Sequence, residues 1–182
     1  MLQDVMNKLH PQETELWALT TLEHMIDAVR FRVDGLRPDL LQERPAGATL
    51  TMVDIISSLR QGEQAFAAAL DRAIKEDNPT LSANFSTFTR RYVVNPFDEL
   101  GDFLNARELS LAVIRALSNK DWERTVNDPE HGSRSLRELA LERARNDLAQ
   151  LKALEDLRVA LLSSTRPGMR TLYGSDLPDA TR

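Results

Sequence analysis

The sequence predicts an all-α protein, a four-helix bundle with a long crossover between helices 2 and 3. Three observations lead there. Four segments, at about 13–36, 51–76, 95–117 and 136–162, place apolar residues every three or four positions, the spacing that returns to one helix face. Helix-start chemistry stands at the head of the last three. The link between the second and third segments, 77–94, is too long for a tight antiparallel hairpin and suits a chain running along the outside of a bundle.

Residues 1–12 hold a short amphipathic piece, Leu2, Val5, Met6 and Leu9, which Pro11 ends and which is expected to pack across the bundle. The first long helix presents Ala18, Leu19, Leu22, Met25, Ile26, Val29, Val33 and Leu36 to the core, and Gly35 and Pro38 close it. On its opposite side Trp17, Thr21, His24, Ala28 and Phe31 form a second strip that a surface helix does not need. Either the N-terminal piece covers it or a second copy does, which makes a homodimer one expectation.

A single helical turn at PDLLQ leads to a Pro/Gly turn, and Thr51 with Asp54 then reads as a capping box for the second helix. That helix buries Met52, Ile56, Leu59, Phe66 and Leu70, with Glu63 among them. A carboxylate there either reaches back to water or is paired. In the crossover, Phe85, Phe88 and Tyr92 are expected to pin the chain down. Asn95 followed by Pro96 starts the third helix, whose strip is Leu100, Leu104, Arg107, Leu111 and Ile114. Glu63 and Arg107 are each the one charge on a buried strip, so they are predicted to pair.

Another capping box, SNKD at 118–121, opens a short turn bearing Trp122, and Thr125 and Val126 look extended. The turn-rich link NDPEHGSRS carries His131, expected to be exposed, and the pair Ser135 and Glu138 caps the fourth long helix. In that helix Leu139, Arg143, Asn146, Gln150, Ala153, Leu157 and Ala160 make a strip that turns polar in its middle, beside an apolar arc of Ala140, Ala144, Leu148, Leu151 and Leu154. Two readings stand: the strip is the solvent edge of the arc, or it lines a polar pocket inside the bundle. The expected organisation is one bundle over 1–162 and a tail over 163–182, where Met169, Leu172, Tyr173 and Leu177 are the apolar residues available for packing.

Composition narrows the functions. With 182 residues, a 42% hydrophobic and 28% charged share and seven glycines, the chain suits one globular core. A net charge of −5 gives no general pull toward phosphate backbones, and Arg143, Arg145 and Lys152 are interleaved with acids, so no nucleic-acid binding is expected. The absence of cysteine excludes thiolate nucleophiles and sulfur-ligated zinc. No stretch reaches the roughly 18 apolar residues of a membrane span, and no leader pattern opens the chain, so a cytoplasmic protein with no membrane association is expected.

Several short motifs, RPAG at 44–47 before LTMVDII at 50–56, SNKDW at 118–122, PEHG at 129–132 and SLREL at 135–139, together resemble the DinB/YfiT-like family of four-helix metalloenzymes over about residues 14–160. The resemblance implies a divalent metal held by one histidine of the second helix and a His-x-x-x-His pair of the fourth, where positions i and i+4 share a face. Those positions fall here on Ser58, Asn146 and Gln150. A hydroxyl and two carboxamides are poor ligands for zinc or nickel, so neither metal nor cofactor is expected. His10, His24 and His131 lie elsewhere along the chain and are not expected to rebuild the site.

What remains is an expected ligand pocket of Ser58, Glu63, Asn146 and Gln150, with Arg143 at its margin. The resulting expectation is a DinB-like, metal-free and non-catalytic bundle that binds a small molecule. The alternative the resemblance implies is a thiol-transferase-like enzyme or a hydrolase of small polar substrates, with Glu63 as acid or base. A role in DNA repair, suggested by the family's damage-inducible name alone, is disfavoured by the acidic charge balance.

Overall fold

A computed structural model describes residues 11–81, 89, 93 and 95–164. Its elements are α1 (Pro11–Val33), α2 (Pro38–Gln42), α3 (Met52–Lys75), α4 (Pro96–Arg115), α5 (Asn119–Trp122), β1 (Thr125–Asp128), β2 (Gly132–Ser135) and α6 (Leu136–Ser164). The four long helices are α1, α3, α4 and α6, as the periodicity predicts. The N-terminal piece, the crossover aromatics Phe85, Phe88 and Tyr92, and the tail with Met169, Leu172, Tyr173 and Leu177 lie outside the described residues, and His10 with them.

Local chemistry sets the helix ends. Thr51 Oγ1 accepts from the Asp54 N–H at 3.1 Å while the Asp54 carboxylate accepts from the Thr51 N–H at 2.9 Å, a reciprocal cap on α3. Ser118 with Asp121, and Ser135 with Glu138, close the same box on α5 and α6. At the head of α4, Asn95 Oδ1 accepts from the Phe97 N–H, and Pro96 occupies the first helical position. α1 ends two residues before Gly35, whose φ of +73° reverses the chain.

Side-chain pairs between helices reveal their directions. Glu15 meets Arg137 near the start of α1 and α6, and Arg32 meets Glu155 near their ends, so these two run parallel. Arg60 meets Glu99, and Glu63 meets Arg107 further along both chains, so α3 and α4 are parallel as well. Ser58 meets Gln150 whereas Glu63 lies beside Arg143, which makes α3 and α6 antiparallel. Each helix has two neighbours around the bundle, in the cyclic order α1, α4, α3, α6. The parallel α3–α4 pair accounts for the length of the link, because the end of α3 and the start of α4 lie at opposite ends of the bundle.

The core falls into two apolar clusters. One holds Leu22, Phe66, Leu70, Leu111, Ala140 and Ala144, the other Met25, Leu59, Phe103 and Leu154. The sequence between the clusters is polar in three helices: Glu63 lies between Leu59 and Phe66, Arg107 between Phe103 and Leu111, and Asp147 between Ala144 and Leu154. A polar layer therefore crosses the middle of the bundle.

One element departs from the sequence expectation. Residues 125–135, read as a short extended piece and a turn-rich link, form an antiparallel hairpin that pairs Thr125 with Ser135 and Asp128 with Gly132. Val126 is fully buried in the first cluster, and Gly132 takes φ +77° to close the turn. The backbone of Pro79 and Leu81 bonds to Asn127 from the other side, so the start of the crossover is tied to the hairpin.

The outer strip of α1 divides. Trp17 packs against the first core cluster, whereas His24 and Phe31 are exposed. The guanidiniums of Arg32 and Arg158 each stand 5.7 Å from the Phe31 ring, so that ring has cationic cover within its own chain. Among the described residues no helix is long and apolar enough to cross a membrane.

Candidate functional site

The polar layer is built on Arg107, a side chain 1% exposed. Its Nε donates to Glu63 Oε2 at 2.8 Å, its Nη2 lies 2.6 Å from both Glu63 Oε2 and Asp147 Oδ2, and its Nη1 donates to the Leu22 carbonyl at 3.1 Å. All four long helices thus meet at one guanidinium. Arg143 adds the second cation, with Nε donating to Asp147 Oδ1 at 2.9 Å, Nη2 against the same oxygen, and Glu63 Oε2 3.9 Å away. Two carboxylates and two guanidiniums make the group neutral, the condition under which buried charge is tolerated. Burial pulls the Arg107 pKa down, but the charges of Asp147 and Glu63 and their hydrogen bonds outweigh it, so the pKa is raised and the cation is permanent.

The predicted Glu63–Arg107 pair is therefore present, and Glu63, at 0% exposure, has no edge position from which to reach water. Asp147 was not singled out by the sequence. It sits beside Asn146 in a helix crowded with charges, and its one signal is the i, i+4 spacing from Arg143. A second buried pair was also missed: Arg60 Nε donates to Glu99 Oε2 at 2.7 Å, and the Ser57 hydroxyl donates to the same oxygen at 3.0 Å.

Next to the layer, α3, α6 and the hairpin enclose a pocket of about 130 Å³. Ser58, Gln61 and Gly62 supply the α3 wall, Leu139, Glu142, Arg143, Asn146 and Gln150 the α6 wall, and Asp128, His131 and Arg134 the hairpin wall. Ser58, Asn146 and Gln150 thus converge, and Gln150 Nε2 donates to Ser58 Oγ at 3.2 Å. The middle of the polar strip on α6 lines this pocket, while Leu148 from the neighbouring arc is 41% exposed, so the buried face is turned toward Ala140, Ala144 and Asp147. Gln61 is held by the crossover, donating to the Thr89 carbonyl and accepting from its N–H, each at 2.9 Å.

Two expectations need correction. Glu63 does not line the pocket; it lies beneath Arg143, engaged by Arg107. His131, which the sequence places in an exposed link away from the site, does line it, although its side chain is 54% exposed as expected. The hairpin fold places it there, with Nδ1 3.1 Å from Asp128 Oδ2. Asp128 also accepts from the Glu130 N–H at 2.9 Å and faces Arg134, which in turn pairs with Glu142. Burial pushes the Asp128 carboxyl up, but the Glu130 N–H and the His131 side chain outweigh that, and its pKa ends below the ordinary value.

The donor set does not fit a transition metal. Among the described residues no group of three or more His, Asp or Glu side chains is arranged to hold an ion. The positions matched to metal ligands offer a hydroxyl and two carboxamides, and Gln150 directs its N–H group at Ser58.

Arg107→Met should strand two buried carboxylates and cost about 3–5 kcal/mol. Urea unfolding of this variant beside Arg30→Met, an exposed ion pair, checks it; equal losses would reject the layer's role. Because the folded pKa of Asp128 is depressed, its contribution is full above the unfolded value of about 3.9 and disappears as pH falls through the folded one. Thermal unfolding across that acid range should show a flatter pH dependence for Asp128→Asn than for the parent, and an unchanged slope would contradict it.

No protein-family model matches the chain, and no curated protein matches it at significance. A solved structure does: YfiT from Bacillus subtilis, described as a probable metal-dependent hydrolase with an unusual four-helix bundle topology, superposes with a TM-score of 0.64 at 13% identity, covering 82% of this chain and 90% of that one. With two parallel helix pairs set antiparallel to each other and the second and third helices joined by a long crossover, this chain has the four-helix-bundle fold of YfiT.

Proposed function

We propose that the chain is a DinB-like protein that works without a metal and without catalysis, holding a small polar molecule in the pocket between α3, α6 and the hairpin. The observation that carries this reading is the hydrogen bond from Gln150 Nε2 to Ser58 Oγ, with Asn146 one turn away on the same wall. Where the resemblance calls for three imidazoles, the chain has neutral hydrogen-bonding groups on the facing α3 and α6 walls of a solvent-open pocket. Such groups suit recognition and supply no Lewis acid.

A second reading, a transferase or hydrolase of a small polar substrate, draws on the His131–Asp128 contact at 3.1 Å, which orients an imidazole at the pocket mouth. Glu63, the acid or base of the enzyme alternative, is enclosed and bound to Arg107, so it has no route to a substrate.

Purified protein is expected to carry no stoichiometric zinc, nickel or iron by elemental analysis, and one equivalent per chain would overturn the metal-free reading. The triple variant Ser58→His, Asn146→His, Gln150→His is expected to bind one zinc ion, because it brings three imidazoles together from the facing α3 and α6 walls. If the triple variant binds no divalent ion, the correspondence with the family's ligand positions is wrong.

A further inference from the structure

The charged layer and the pocket share one side chain. Arg143 is 7% exposed, and its Nε and Nη2 are taken by Asp147. Nη1 lies over the α3 backbone, where a Cβ on Gly62 would stand 1.8 Å from it. Among the described residues Nη1 meets no acceptor, so this cation is held along one edge and faces the pocket with the other. A glycine in mid-helix is a poor helix former, and here it makes room for the guanidinium.

One turn away on α3, Ser58 Oγ accepts from Gln150, which leaves the hydroxyl proton available to donate. Ser58 and Gly62 are four residues apart, about 6 Å along the helix axis. The carboxylates around the pocket are occupied: Asp128 by the Glu130 N–H, His131 and Arg134, and Glu142 by Arg134. Beneath the floor, Glu63 and Asp147 are held by Arg107 and Arg143. The unengaged groups on the floor are therefore the Arg143 Nη1 edge and the Ser58 hydroxyl proton, both donors and one of them cationic, beside one neutral acceptor, Gln150 Oε1.

We infer that the pocket takes a small carboxylate whose oxygens accept from Arg143 Nη1 and the Ser58 hydroxyl, with the Asn146 amide as a further donor at the mouth. This rests on the ligand-binding reading above and names the ligand's chemistry. A guanidinium edge with an adjacent hydroxyl matches a carboxylate, whose lone pairs accept several donors at once. An ammonium would bring a like charge against Arg143 and find no free carboxylate. A cavity of about 130 Å³ holds on the order of ten water-sized groups, which limits the ligand to a short acid.

Butyrate, its amide butyramide and the amine butylamine are probes of nearly one size that differ in this chemistry. Each is titrated into the ¹⁵N-labelled protein at millimolar concentration, following the side-chain signals of Asn146, Gln150 and Arg143 Nε. Butyrate should shift these signals saturably, butyramide more weakly, and butylamine not at all. Ser58→Ala, which leaves the charged layer intact, should weaken butyrate about tenfold, and Gly62→Ala, which puts a methyl group where Nη1 lies, should abolish the shifts. Butylamine binding as well as butyrate, butyramide matching it, or Ser58→Ala binding like the parent would each overturn the carboxylate assignment while leaving a ligand pocket. Silence from all three probes would overturn both.

Discussion

Arg107 is the constraint on which the bundle depends. Its guanidinium takes Glu63 from α3, Asp147 from α6 and the Leu22 carbonyl from α1, and it belongs to α4. Removing such groups from water is costly, and what offsets the cost is geometric completeness and a net charge of zero. The layer lies between two apolar clusters. A shift of one turn by α3, α4 or α6 would set a charge against hydrocarbon on one side and leave its partner unpaired on the other. The polar layer thereby discriminates among registers that the leucines and alanines alone would tolerate, much as a single polar position does in a coiled coil.

That same layer shapes the pocket. Asp147 orients Arg143, Gly62 admits its guanidinium against α3, and the exposed edge of that cation becomes part of the pocket wall. The hairpin completes the enclosure from the other side, anchored by Val126 in the core and by the backbone bonds of Pro79 and Leu81 to Asn127. The charged layer and the pocket therefore meet at α6, where Arg143 faces the interior and the pocket while Asn146 and Gln150 line the pocket alone.

The helices were legible because each carries a long periodic strip and a recognisable cap. The Glu63–Arg107 pair was legible for a narrower reason: each is the sole charge on an otherwise apolar strip, so each needs a partner. That reasoning fails in α6, where Glu142, Arg143, Arg145 and Asp147 crowd six positions and nothing in the order marks Asp147 as the buried one. The hairpin hid for a different cause. Val126 is its only apolar strand residue, and GSRS offers no alternation to read. Asp128, His131 and Arg134 reach the pocket through that hairpin, so that side of the pocket wall was beyond any periodicity argument. Ser58, Asn146 and Gln150 were found by resemblance and by helical spacing, and they do lie together.

The account turns on whether Glu63 and Arg107 act as one unit in the centre of the bundle. A double-mutant cycle with Glu63→Gln, Arg107→Met and the two combined, measured by urea unfolding, tests this most directly. A layer that holds the helices together predicts a coupling between the two sites of about 1–3 kcal/mol. Losses that simply add, with a coupling within about 0.5 kcal/mol of zero, would contradict it.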